Sequence, residues 1–182
     1  MALSEFQTKK ISLAFKKYDS SNDGVVEASD FDKIAQKVAQ NLGVNSGSPE
    51  HDKLTSAYRA IWDGYFKPAD GDGDNKVVLE EYLEATERFF GSPNAANMGT
   101  DLNKVLYDAI DFDGGGSIDE KEFSAFLTAV GISEADAKTA FSHLDTDKNG
   151  SISRDEFAKN LYDYYASDDT EAPANWFYGP VS

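Results

Sequence analysis

Asp145-Thr146-Asp147-Lys148-Asn149-Gly150-Ser151-Ile152-Ser153-Arg154-Asp155-Glu156 places side-chain oxygens at its first, third, fifth and twelfth positions and a glycine at the sixth. Three other segments repeat that grammar: DSSNDGVVEASD from Asp19 to Asp30, DGDGDNKVVLEE from Asp70 to Glu81, and DFDGGGSIDEKE from Asp111 to Glu122. Each opens with Asp and closes with an acid. Each has Val or Ile at its eighth position (Val26, Val77, Ile118, Ile152) and an aromatic directly after it (Phe31, Tyr82, Phe123, Phe157). Another aromatic stands four residues before each: Phe15, Phe66, Tyr107 and Phe141. Four copies in register, with aromatics at fixed offsets, are a repeat rather than scattered acidic turns.

This spacing is that of the EF-hand calcium loop. Calcium is a hard cation that takes six to eight oxygens. Positions one, three, five and twelve supply side chains, seven a backbone carbonyl, and nine a side chain or water. The fourth loop fits best, with Asp145, Asp147, Asn149 and Glu156, and Ser151 through its carbonyl. The second offers Asp70, Asp72, Asp74 and Glu81, with Lys76 through its carbonyl. Asn75 stands where Gly is favoured, and it tolerates the left-handed backbone next best. The first offers Asp19, Ser21, Asp23, Glu27 and Asp30, with Val25 through its carbonyl. Its closing Asp falls about 1.5 Å short of a Glu. A one-oxygen grip and six-fold coordination follow, and with them tolerance of Mg²⁺. The third offers Asp111, Asp113, Asp119 and Glu122, with Ser117 through its carbonyl. Gly115 gives no side chain at position five, so this loop is expected to be the weakest, or a structural partner of the fourth. Up to four Ca²⁺ ions are expected, with Mg²⁺ possible at the first loop.

The flanks read as helices. Ser4-x-x-Gln7 is a capping box, and Phe6, Ala14, Phe15 and Tyr18 share one face behind it. Phe31, Ile34, Val38 and Leu42 repeat at helical spacing up to the stop at Gly43. Ser48-Pro49 opens a helix with the stripe Leu54, Tyr58, Ile61, Trp62, Tyr65 and Phe66, which Pro68 is expected to break. Thr100 is expected to cap a helix reaching Ile110, and Ser133 one reaching Leu144. The expected fold is all-α: four EF-hands in two pairs, packed as one compact globule. Short two-stranded ribbons should join residues 25–27 to 76–78 and 117–119 to 151–153. The boundaries are an N-terminal pair over 1–90, a linker over 91–99 around Gly91-Ser92-Pro93-Asn94, a C-terminal pair over 100–165, and a tail over 166–182 packing on the core.

The composition narrows the function. Thirty-three acids against 17 basic residues give a formal charge of −16. Such a surface repels nucleic acid and anionic lipid and attracts cations. There is no cysteine, and two histidines, His51 and His143, argue against a transition-metal centre. No leader-like or membrane-spanning run occurs, so a cytoplasmic monomer without a stable membrane anchor is expected. No nucleophile–base constellation stands out and the loops account for many of the acids, so no enzyme is expected and no catalytic residue is assigned.

Taken together, the four loops, the longer first half and the tail Asn175-Trp176-Phe177-Tyr178-Gly179-Pro180 resemble the sarcoplasmic calcium-binding protein family. Its relatives include calexcitin, calerythrin and the coelenterazine-binding proteins. Ser4-Glu5-Phe6-Gln7 and Ile61-Trp62-Asp63-Gly64 are most similar to the calexcitin branch. The resemblance implies a compact calcium buffer or signal protein. Only two Met residues argue against a Met-rich sensor groove for a protein target. A third reading, a calcium-regulated carrier of a hydrophobic aromatic ligand, would use Tyr58, Trp62, Tyr65, Trp176, Phe177 and Tyr178. Those rings are otherwise core.

Overall fold

The computed structural model describes residues 2–90 and 95–181, with the backbone alone over 95–102. Ser4 caps the first helix, α1 (Glu5–Tyr18): its hydroxyl accepts from the Gln7 N–H while Gln7 reaches back to the Ser4 N–H. Strand β1 (Val25–Val26) lies inside the first loop, and α2 (Ala28–Leu42) leaves it. Gly43 ends α2 at φ 75°, where its N–H and that of Val44 close back on Gln40 and Ala39. Ser48 and Pro49 start α3 (Pro49–Ile61) as the sequence predicts.

Pro68 acts earlier than expected. The chain does not run α-helical up to the proline. It loosens into a π turn over Trp62–Phe66 and then tightens into a 3₁₀ turn over Lys67–Ala69. A proline ring clashes with the carbonyl four residues before it and lacks an N–H, so the ladder shifts register upstream. Accordingly, the Lys67 N–H bonds to the Trp62 carbonyl.

Strand β2 (Val77–Val78) and α4 (Leu79–Phe90) complete the first half. The second half holds α5 (Ala95–Ile110), β3 (Ile118–Asp119), α6 (Glu120–Ala129), α7 (Glu134–Leu144), β4 (Ser151–Ile152) and α8 (Arg154–Ala166). A short 3₁₀ turn, Pro173–Trp176, lies in the tail. Helix α5 begins before Thr100, the residue read as its cap, and within the stretch read as linker. Gly91-Ser92-Pro93-Asn94 lie outside the described residues. Both ribbons form with the register the spacing demands: Val26 pairs with Val77, and Ile118 with Ile152.

The halves pack on each other through α2 against α6 and α3 against α5, while α1 lies on α4 and α8. Asn41 of α2 donates to the Ala125 carbonyl and Thr128 Oγ1 of α6. The tail folds over this assembly: Phe177 and Tyr178 are 0% and 1% exposed. Lys10, fully buried in α1, holds the tail by donating to the Ser167 carbonyl and Asn175 Oδ1, with the Phe6 and Tyr164 rings beside its ammonium.

The interior is aromatic and hydrogen-bonded. Five phenols from five segments form one chain: Tyr65 to Tyr82 (3.2 Å), Tyr82 to Tyr165 (3.0 Å), Tyr165 to Tyr178 (3.4 Å) and Tyr178 to Tyr18 (3.0 Å). A buried hydroxyl without a partner is costly, so the chain satisfies these five phenols inside the core; the buried Tyr58 hydroxyl stands outside it and has no partner. Burial pushes the phenols of Tyr18, Tyr58, Tyr65, Tyr82, Tyr164, Tyr165 and Tyr178 above the ordinary value of 10. A group whose folded value is raised contributes stability below its unfolded value and loses it as pH climbs toward the folded one. We therefore expect stability to hold up to about pH 10 and fall steeply above it. A tyrosinate absorbance titration should show these phenols ionising together with unfolding; ionisation of all of them with the fold intact would contradict the packing.

Candidate metal centre

Each loop is a nest for one Asp at position one. Asp19 Oδ2 accepts from the Gly24 N–H, Asp70 Oδ2 from Asn75, Asp111 Oδ2 from Gly116 and Asp145 Oδ2 from Gly150, at 2.9–3.1 Å. These bonds need a left-handed residue at position six. The backbone supplies one in all four loops: Gly24, Asn75 (φ 64°), Gly116 and Gly150. Position four is left-handed too, at Asn22, Gly73, Gly114 and Lys148, a feature the ligand spacing did not reveal.

Position twelve closes each loop by the same device. Glu81 accepts from the Gly71 and Val78 N–H groups, Glu122 from Asp113 and Asp119, and Glu156 from Thr146 and Ser153. Asp30 copies this with the Ser21 and Glu27 N–H groups. At position five, Asp23, Asp74 and Asn149 accept from the N–H groups of Val25, Lys76 and Ser151, which orients the position-seven carbonyls. Gly115 has no side chain to do so, although its own N–H donates to Asp113 as those of Asp74 and Asn149 do to Asp72 and Asp147.

In three loops the carboxylates converge. Asp70, Asp72 and Asp74, then Asp111, Asp113 and Glu122, then Asp145, Asp147 and Glu156 each bring oxygens within 4.8 Å of one another. Oxygens that close would touch one cation at about 2.3–2.6 Å, and without it they repel. The third loop, expected to be weakest, is thus assembled despite Gly115. It also carries a mark of a missing partner: Asp111 Oδ1 is buried with nothing to bond to. Burial first, then the charges of Asp119 and Asp113, push the Glu122 carboxyl up against its two backbone donors. The donor set is all oxygen, and the orphaned, crowded carboxylates fit a hard divalent ion.

Among the described residues, the first loop forms no such trio of acids. Ser21 stands at position three, with its hydroxyl on Asp19 Oδ1. Asp30 is fully buried and its Oδ1 faces Lys33 Nζ at 3.5 Å. Glu27 Oε1 accepts from Ser29 Oγ. In the third loop Asp119 caps α6 through the Glu122 N–H.

Sequence reading missed what lies behind the loops. The spacing marks Tyr107 only as an aromatic, yet its hydroxyl donates toward the Gly116 carbonyl of the third loop (3.0 Å) and the Ile152 carbonyl of the fourth (3.4 Å). Its phenol is pushed up to about 12 by burial and the nearby Asp111. The equivalent Phe15, Phe66 and Phe141 have no hydroxyl, so an oxygen at this offset is the signal that was available. Tyr107→Phe keeps the edge-on contact with Phe157 and removes the bridge. We expect a loss of about 1 kcal/mol in denaturant unfolding, and weaker coupling between the third and fourth loops in a calcium titration. Likewise, Lys53 of α3 reaches across to the Phe112 carbonyl in the third loop (2.6 Å).

The histidines stay clear of the loop oxygens. His51 lies beside Asp52 and His143 stacks on Trp176. Of the six rings offered as cavity lining, Tyr65 borders a cavity of about 350 Å³, with Tyr82, Phe89, Phe90, Tyr162 and Tyr165. Tyr58, Trp62, Phe177 and Tyr178 are core.

Residues 100–162 match the EF-hand domain pair family. The chain is 31% identical to calerythrin of Saccharopolyspora erythraea over 83% of its own length and 87% of the relative. It is 30% identical to luciferin-binding protein of Renilla reniformis, over 97% and 95% of the two chains. The calcium-loaded apo form of coelenterazine-binding protein from Renilla muelleri superposes with a TM-score of 0.83 at 27% identity, covering 97% of this chain and 99% of that one. With its converging oxygen loops, paired ribbons and aromatic interior, the chain belongs to the family of EF-hand calcium-binding proteins that contains calerythrin, the luciferin-binding protein and the sarcoplasmic calcium-binding proteins.

Proposed function

We propose that the protein is a calcium buffer with four cation sites, three selective for Ca²⁺ and the first also taking Mg²⁺. The ligands are those named from the loop spacing: Asp19 to Asp30, Asp70 to Glu81, Asp111 to Glu122 and Asp145 to Glu156. The observation that carries the buffer reading is the closed interior. The helix faces that a sensor would open toward a target are occupied here by each other, by the phenol chain and by Phe177 and Tyr178. Buffer EF-hands barely open on binding, whereas sensors expose a groove. A cytoplasmic monomer with no catalytic activity of its own completes this reading.

Calorimetric titration with Ca²⁺, with and without Mg²⁺, tests it. Dissociation constants near 10⁻⁹–10⁻⁸ M mark a buffer and 10⁻⁷–10⁻⁵ M a sensor. Four sites, tight binding and no calcium-induced uptake of a hydrophobic dye are expected. Micromolar sites with strong dye uptake would establish a sensor instead. At the first loop, Asp30→Glu restores the missing methylene, allows a two-oxygen grip and should weaken Mg²⁺ competition by about tenfold, some 1.4 kcal/mol. Unchanged competition would remove the case for a mixed site.

A second reading has one observation behind it. The 350 Å³ cavity beside Tyr65 is within the size range of small-ligand sites, and the chain resembles proteins named for binding luciferin and coelenterazine. Saturable coelenterazine binding, weakened by Tyr162→Ala at the exposed rim, would establish the carrier role.

A further inference from the structure

The chain contains one Asn–Gly pair, Asn149–Gly150, and it occupies positions five and six of the fourth loop. Positions five and six of the other loops are Asp23–Gly24, Asp74–Asn75 and Gly115–Gly116, so none of them offers an amide beside a glycine nitrogen. Asn149 and Gly150 are both exposed, and no atom stands within 4 Å of where a Cβ on Gly150 would be. No side chain on Gly150 crowds an approach to the Asn149 side chain, the Gly150 N–H meets only the Asp145 carboxylate, and asparagine is a labile residue.

The surrounding bonds match the needs of an attack by that nitrogen on the Asn149 side chain. The Gly150 N–H donates to Asp145 Oδ2 (2.9 Å), a carboxylate positioned to take its proton. Asn149 Oδ1 accepts from both the N–H (2.9 Å) and the hydroxyl (2.8 Å) of Ser151, donors placed where negative charge would build on that oxygen. Asn149 Nδ2 donates to Asp147 Oδ2 (2.9 Å). The groups that hold the loop together are also those that would assist its breakdown.

We propose that Asn149–Gly150 is a self-modification site, at which the fourth loop deamidates while metal-free and is protected while a cation fills it. This rests on the reading that the loop binds calcium. Gly150 N forms a bond to Asn149 Cγ, and its proton passes through Asp145 to the departing Nδ2. The Cγ–Nδ2 bond breaks and ammonia leaves, closing a five-membered imide. Water then opens the imide at either carbonyl, giving aspartate or isoaspartate. The isoaspartyl product runs the backbone through Cγ, shortens the side chain by one methylene and displaces the Ser151 carbonyl, so the fourth loop loses cation affinity. An ion held by Asp145 and Asn149 would draw both side-chain oxygens to one centre, taking the carboxylate from the Gly150 N–H and restraining the amide.

The test is incubation of the full chain at mildly alkaline pH in chelator and in calcium, followed by proteolysis and mass spectrometry of the peptide spanning residues 145–156. In chelator the amide-to-acid mass gain should accumulate at Asn149. If only open loops react, calcium at 100 times the dissociation constant leaves about 1% of loops open and slows the reaction about a hundredfold. Glu156→Gln disables this loop while the others stay loaded, and in calcium it should react as fast as wild type in chelator. Asn149→Asp should show no gain. Equal rates with and without calcium, full protection of Glu156→Gln, or a gain in Asn149→Asp would each overturn the proposal. Calcium titration of wild type against Glu156→Gln reports separately whether the fourth loop binds at all, so failure of the calcium assignment is distinguishable from failure of the protection.

Discussion

Removing calcium should lower the thermal midpoint by about 15–30 °C. A ligand that binds only the folded chain stabilises it by about 2.7 kcal/mol at 100 times its dissociation constant. Three loops with converging carboxylates then give about 8 kcal/mol, and each kcal/mol moves the midpoint of a chain this size by roughly 2–4 °C. The sign follows from the crowding. With no ion, each trio holds like charges within 4.8 Å, Asp111 Oδ1 has no partner, and the formal charge stays at −16. Four divalent ions would halve that charge. Scans in excess chelator and in excess calcium check it, and coincident midpoints would show that the loops hold no ion tightly.

The second large effect concerns the tail. A chain ending at Ala172 should lose about 6 kcal/mol or more, and with it cooperative unfolding at ordinary temperature. Truncating one buried Phe costs about 3–5 kcal/mol, and this deletion removes both Phe177 and Tyr178. It also leaves Tyr18 and Tyr165 without the hydroxyl that joins them, and the Lys10 ammonium without Asn175. Since domains of this kind are stable by only about 5–15 kcal/mol, the loss consumes most of the margin. Urea unfolding of the shortened chain provides the measurement. Tyr178→Phe separates the two contributions: the ring stays, the hydroxyl goes, and the expected cost is only about 1–2 kcal/mol. A shortened chain within 1 kcal/mol of the full one would mean the tail is peripheral.

Both effects were partly legible in the sequence, the loops in their spacing and the tail as a segment expected on the core, but not the phenols that the tail joins. The carboxylates that converge in the second, third and fourth loops are legible because each set comes from twelve consecutive residues, which the loop folds onto one centre. The same locality made the ribbons predictable: Val26 and Val77, like Ile118 and Ile152, occupy equal loop positions and pair with each other. The helix starts at Ser4, Ser48 and Ser133 and the stop at Gly43 were legible because capping is settled within four residues.

What escaped depends on neighbours distant in the chain. In the sequence, Gly115 alone sets the third loop apart as weak. Its assembly also draws on Tyr107 behind it and on Lys53 from the other half. Composition gave the number of tyrosines but not that Tyr18, Tyr65, Tyr82, Tyr165 and Tyr178 would join hydroxyls across four helical segments and the tail. Pro68 announced a break, but not that the ladder would loosen into a π turn from Trp62 while Tyr58, Trp62 and Phe66 all stay in the core. The sequence by itself determined the cation chemistry, because an oxygen cage is a short-range pattern. Only the tertiary structure decided how the interior is filled and which distant side chains brace each loop, because packing and buried hydrogen bonds depend on what the rest of the chain brings to the same place.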